Sequence, residues 1–150
     1  MSRHGASDDC VPPQGMGRAV AEAWEQFTKI SVHLSAATAR KLLKGAGLVI
    51  DTFDNSASRR LVQTFCAENA LACLHVGLFA DYGEVIWNEQ YRVPGDAAGD
   101  VCDYPLARNL VILTVAIASE ILLRSLLEGD RENWSITLRD FAVRRLEAGA

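Results

Sequence analysis

Apolar residues fall into short runs separated by amphipathic stretches, and the spacing within each stretch predicts its element. Val20, Ala23, Trp24 and Phe27 recur at helical spacing and predict a helix from about Arg18 to Phe27. Ile30 to Leu34 alternates apolar and polar residues and predicts a short strand. Ser35 supplies an N-cap for a short helix, which Gly45 ends after Lys41 and Lys44. Leu48-Val49-Ile50 is a continuous apolar run, the pattern of a strand buried on both faces of a parallel sheet. Leu61, Val62, Phe65 and Cys66 mark one face of a helix from about Ala57 to Asn69. Ala72 to Phe79 reads as a second buried strand, Asp81-Tyr82-Gly83 as a turn, and Glu84 to Trp87 as the returning strand.

Residues 89–101 contain Pro94, Gly95 and Gly99 and predict a loop. A long helix follows, from about Pro105 to Leu127, with Gly129 as its terminator. From Asn109 to Ser119 this helix carries no charge, with Arg108 and Glu120 closing the run. A membrane span needs roughly 20 apolar residues, so the run predicts a buried core helix and no membrane partner. Leu110, Val111, Leu113, Val115, Ile117, Ile121 and Leu122 make the helix apolar nearly all round, so it needs cover on every side. Trp134 to Val143 reads as a last strand or a strand plus turn. Residues 1–16 offer few apolar anchors and are expected to be disordered, leaving 17–150 as one partial domain. Strands alternating with helices predict an α/β fold with a mainly parallel sheet.

Composition narrows the functional classes. A formal net charge of -4 argues against nucleic acid as the partner. The four cysteines, Cys10, Cys66, Cys73 and Cys102, form no C-x-x-C pair, so no zinc site is expected. Cys66 and Cys73 lie in apolar surroundings and read as core thiols. That usage, with no apolar signal stretch at the N-terminus, suits the cytoplasm.

The richest chemistry follows the Leu48–Ile50 strand. Ligands of open α/β sheets bind outside the carboxyl ends of strands, which is where Asp51 and Asp54 fall. A carboxylate there can hold Mg²⁺, which grips phosphate oxygens. Arg59 lies one helical turn after Asn55, in reach of a phosphate or of Asp54. The plainer alternative is that Asp54 or Ser56 caps the next helix while Arg59 faces solvent. His75, inside an apolar strand, reads as a satisfied core histidine, and His33 as a strand-surface residue. Cys102 precedes a helix N-terminus, where the dipole favours a thiolate, but Asp103 opposes that shift. A reactive and an inert thiol both remain open there.

The stretch Asp51-Thr52-Phe53-Asp54-Asn55-Ser56-Ala57-Ser58-Arg59 resembles the D-x-x-D-N-x-x-x-R segment of the ThiF, MoeB and ubiquitin-activating enzyme family. The order around it fits as well. Leu43-Lys44-Gly45-Ala46-Gly47-Leu48-Val49-Ile50 resembles the preceding helix end and strand. Ala72-Cys73-Leu74-His75-Val76-Gly77 resembles the next strand, and Gly83-Glu84-Val85 the returning one. Cys102-Asp103-Tyr104-Pro105-Leu106-Ala107-Arg108-Asn109 introduces the long helix. The resemblance implies the C-terminal half of a Rossmann-like adenylating domain. The family uses ATP and Mg²⁺ to adenylate the C-terminal carboxylate of a ubiquitin-like or sulfur-carrier protein. By resemblance, Asp54 is the catalytic, metal-side carboxylate, and Asp51, Asn55 and Arg59 belong to the cofactor-binding turn. Cys102 stands where some members carry a reactive thiol.

The family's Gly-rich nucleotide loop has only a poor imitation in Gly15-Met16-Gly17. No strand precedes it, and Val20 takes the third glycine position. Weak or absent ATP binding by the isolated chain is therefore expected. So is a homodimer, or a partner that supplies the N-terminal half. The alternative function is a non-catalytic interaction module or a truncated remnant.

Overall fold

The computed structural model describes residues 28–95 and 107–147. Two compact units divide the chain, one up to His33 and one from Leu34 onward. The expectations for residues 1–16, the helix from Arg18 to Phe27, the Gly15–Gly17 loop, Cys10, Cys102 and the helix start at Pro105 lie outside the described residues. In the first unit, residues 28–33 are irregular, with Ile30 and Val32 exposed. The expected Ile30–Leu34 strand is thus corrected: the alternation is present, but no described strand pairs with it.

All described helices and strands belong to the second unit. Helix α1 (Ala36–Leu43) opens on a capping box in which the Ser35 hydroxyl accepts from the Thr38 amide and the Thr38 hydroxyl accepts from the Ser35 amide. Gly45, at φ +83°, takes the left-handed conformation that lets the chain leave the helix. Strand β1 (Leu48–Asp51) leads into helix α2 (Ser56–Glu68), and strands β2 (Ala72–Phe79) and β3 (Tyr82–Trp87) follow. Helix α3 (Ala107–Glu128) precedes strands β4 (Asn133–Thr137) and β5 (Ala142–Leu146). Where a strand or a strand plus turn is expected over Trp134–Val143, the structure has a strand, a turn and a second strand, a hairpin with Phe141 at φ +51°.

The five strands lie in sequence order in one sheet. The α/β class is the observed one, but the mainly parallel sheet is corrected to a mixed sheet. Only β1 and β2, joined through α2, run parallel; the three remaining pairings are antiparallel. A parallel pair needs a long crossover, and only a two-residue turn at Ala80–Asp81 joins β2 to β3.

The two helices α2 and α3 cover opposite faces. Val62 and Cys66 of α2 pack on Val49 and Cys73. Leu110, Ala118 and Ile121 of α3 pack on Leu74, Val76, Val85, Trp87 and Ile136. β2 is buried without a break from Cys73 to Gly77, as its apolar run predicts. β1 is not: Ile50 is 48% exposed, so burial on both faces is corrected to burial at Val49 and Asp51. The buried core helix is corrected in the same sense. Leu110, Thr114, Ala118 and Ile121 line the inward face of α3, while Ile112, Val115, Leu123, Leu126 and Leu127 are exposed. By length and composition alone, Arg108–Glu128 suffices to cross a membrane.

Helix α3 packs tightly on β3 at Gly83. A Cβ built there would stand 2.6 Å from the Thr114 hydroxyl oxygen, which is buried and has no hydrogen-bond partner. Gly83→Ala is expected to destabilise the fold by about 1–3 kcal/mol, because the helix must shift. Adding Thr114→Ala empties the contested space, so the double variant should lose less than the sum of the two single losses. Chemical denaturation of all three variants checks this; strict additivity would place the strain elsewhere.

Candidate functional site

The turn between β1 and α2 is built from the inside outward. Asp51, the last residue of β1, is 1% exposed. One of its carboxylate oxygens accepts the Phe53 amide at 3.0 Å and folds the turn. The other lies 2.7 Å from His75 Nδ1 and 3.5 Å from Arg59 Nη1. His75 stands beside Asp51 because the parallel register pairs these two residues. Its Nε2 meets Asn88 Oδ1 at 2.8 Å, so both ring nitrogens have partners, as the core-histidine reading expects. The Tyr91 ring stacks on the imidazole, with centroids 3.8 Å apart and planes 9° from parallel.

Arg59 points into the protein. It donates to the Val76 carbonyl at 2.8 Å and to the Tyr91 hydroxyl at 3.2 Å, with 9% of its surface exposed. Solvent exposure and a pairing with Asp54 are both corrected: the charged partner of Arg59 is Asp51. A cation and an anion buried together satisfy one another where either alone would be costly. The segment after β3 is tied to the same place. Gln63 donates to the Tyr91 carbonyl at 2.8 Å, and Ser56 donates to the Pro94 carbonyl at 2.9 Å.

Glu84 faces this cluster from β3. Burial pushes its carboxyl above the ordinary glutamate range, and the positive fields of Arg59 and His75 only partly offset that. A carboxyl raised on folding contributes most below its unfolded range, and that contribution fades as pH rises through the folded value. Glu84→Gln is therefore expected to raise the melting temperature near neutral pH and to match wild type as pH falls below the glutamate range of about 4.3. Thermal melts across that window check the sign; an advantage that grows on acidification would contradict it.

On the outside of the turn, Asp54 is exposed, and one carboxylate oxygen accepts from the Asn55 side chain at 3.1 Å. Asn55 is the N-cap of α2, accepting the Ser58 amide at 2.8 Å, so capping by Asp54 or Ser56 is corrected. The first turn of α2 holds no acidic residue, and the positive end of the helix dipole faces this turn. Asp54 offers a single solvent-facing carboxylate. That fits Mg²⁺ held by one protein ligand together with phosphate oxygens and water. Among the described residues no three metal-ligating side chains converge, so the turn makes no closed metal cage.

The structure thus brings Asp51 and Arg59 together beneath the turn and leaves Asp54 and Asn55 on its exposed side; Cys102 lies outside the described residues. Sequence reasoning missed Asn88, Tyr91 and Gln63, which sit in or pack on an irregular segment. The inward course of Arg59 did leave a signal. Arg59, Val62 and Cys66 are spaced by three and four and share the apolar face of α2.

No family model matches this sequence, and no curated protein does. Solved structures do match. MccB of E. coli with MccA-N7isoASN superposes with a TM-score of 0.58 at 10% identity, over 81% of this chain and 44% of that one. MccB with ATP gives 0.56 at 10% identity, over 96% and 52%. PaaA gives 0.50 at 14% identity, over 75% and 38%. The chain shares the fold of the matching part of MccB. The likeness at this identity is one of fold, and the chain spans about half the length of MccB or less.

Proposed function

We propose that the chain is half of a ThiF-type adenylating domain, and that a partner supplying the nucleotide loop completes it for ATP-dependent activation of a carrier-protein carboxylate. The observation that carries this reading is the position of Asp54. Its carboxylate is solvent-facing, bonded only to the exposed Asn55 side chain, on a turn that Asp51 folds from beneath with Arg59 beside it. Pre-positioning a charge at the carboxyl end of a strand is the arrangement that phosphate chemistry requires. Solved MccB structures with ATP and with MccA-N7isoASN support both a nucleotide and a carrier-like partner. Magnesium-bound ATP, when present, supplies the adenylyl group. The protein's part is to place Asp54 toward the metal and phosphate side, with Asp51 and Arg59 holding the backbone that carries it. The cytoplasm is the proposed setting, supported by the unpaired, buried thiols of Cys66 and Cys73.

The test is ATP–pyrophosphate exchange with a complementing chain that carries a Gly-rich nucleotide loop. Exchange by the complex and by neither chain alone supports the reading; a complex that forms without exchange turns it down. The second reading, an interaction module with no activity, is favoured by the exposed apolar face of α3. It predicts that same silent complex.

A further inference from the structure

Two sulfurs meet where α2 ends and β2 begins. Cys66 lies in the last turn of α2 and Cys73 is the second residue of β2, and neither has any exposed surface. Only a short reversal separates the two elements, and in it the Leu71 amide donates to the Cys66 carbonyl at 2.9 Å. The two thiols are hydrogen-bonded to one another, and both are free of disulfides. Val49, Val62, Leu43, Phe65 and Leu71 pack around them, so the pair sits in a dry, apolar seam. The chemistry proposed for the Asp54 turn makes no use of either sulfur.

The surroundings decide what such a pair can hold. A soft metal ion displaces thiol protons and binds the sulfurs that carried them. No third donor is at hand, because among the described residues no three His, Cys, Asp or Glu side chains converge on a metal position. The nearby polar groups are committed elsewhere. Asp51 holds the Phe53 amide, His75 and Arg59, and both ring nitrogens of His75 have partners. A structural zinc site, which takes four donors, does not fit here. Two sulfurs alone suit the soft, closed-shell ions that bind two ligands in a line, monovalent copper and silver and divalent mercury. Charge separates these ions. Two thiolates around a monovalent ion leave a net negative charge in an apolar seam, where the field of Asp51 already disfavours thiolate. Two thiolates around a divalent ion leave none.

We propose that Cys66 and Cys73 form a two-coordinate site for a soft divalent cation of the mercuric type, held within one chain between α2 and β2. With mercuric chloride, two sulfur–hydrogen and two mercury–chlorine bonds break and two mercury–sulfur bonds form. Two protons and two chloride ions leave, and no atom changes oxidation state. The site stands apart from adenylation, and its test reads metal binding alone. The probe is mercuric chloride, added to the full chain carrying Cys10→Ser and Cys102→Ser, so that the buried pair are the remaining thiols. The seam admits the ion as α2 lifts from the sheet, so readings are taken at equilibrium. One mercury should be held per chain, with two sulfur neighbours by X-ray absorption and two protons released near neutral pH. Sedimentation of the chain should not change, since both sulfurs come from one molecule. Cys66→Ser and Cys73→Ser each break the chelate and should weaken mercury binding by about 100-fold or more. Monovalent copper supplied in acetonitrile should form no matching complex. Mercury that bridges two chains, release of fewer than two protons, a copper complex of the same stoichiometry, or a serine variant that binds as tightly as its parent would overturn the proposal. Where a serine variant loses its circular dichroism, the proton and sulfur counts on the parent chain decide.

Discussion

Asp51→Ala is expected to lower the free energy of unfolding by about 3–5 kcal/mol, the usual cost of removing one partner from a buried ion pair. The loss has three sources in the structure. Arg59 keeps its charge in the protein with no carboxylate beside it. His75 Nδ1 loses its acceptor in a fully buried site. The Phe53 amide loses the oxygen that folds the turn. Asp51→Asn keeps the size and an oxygen for the Phe53 amide, so it should cost less than alanine. Urea denaturation followed by circular dichroism measures both. An alanine variant within about 1 kcal/mol of wild type would mean that water or a rearranged side chain replaces the carboxylate.

Three residues further on, a second aspartate should show the opposite profile. Asp54→Ala is expected to change stability by no more than about 0.5 kcal/mol, as at an ordinary surface position. Asn55 makes the helix cap, and Asp54 holds only one exposed bond from the Asn55 side chain. In the completed enzyme, the same substitution should lower ATP–pyrophosphate exchange by about 100-fold or more, the scale of losing one pre-positioned charge at a reacting phosphate. Complex formation should be intact. Cys102→Ala should leave exchange unchanged, since adenylation precedes any thiol step. Full exchange by the Asp54 variant would remove Asp54 from the site.

The contrast between these two acids shows what the sequence could and could not reveal. Local chemistry announced itself. Ser35 and Gly45 bound a helix where a cap and a left-handed glycine belong, and the unbroken apolar run of β2 gave its limits to the residue. The Asp51–Arg59 stretch was legible as a strand, turn and helix for the same reason. Relations between distant segments were not. Nothing near His75 says that Asn88 and Tyr91 will close around it, because an irregular segment has no period from which a partner can be inferred. The direction of the strands was hidden too. Helices do alternate with some strands, but two short turns make hairpins, and pattern alone does not say which connection crosses over. At Phe141 and Val143, exposed apolar residues left open whether the last segment was one strand or a strand plus turn, and hid the second strand of the hairpin.

Cys66 and Cys73 face each other across the seam between α2 and β2, both with no exposed surface. Burial raises both thiols above the ordinary range, so each rests as the protonated, sluggish form. An alkylating reagent meets them only when α2 lifts away from the sheet. These two sulfurs therefore act as a clock inside the fold. The pace at which they take up label counts the openings of that seam, and it does so without a dye, a tryptophan substitution or any change to the natural chain.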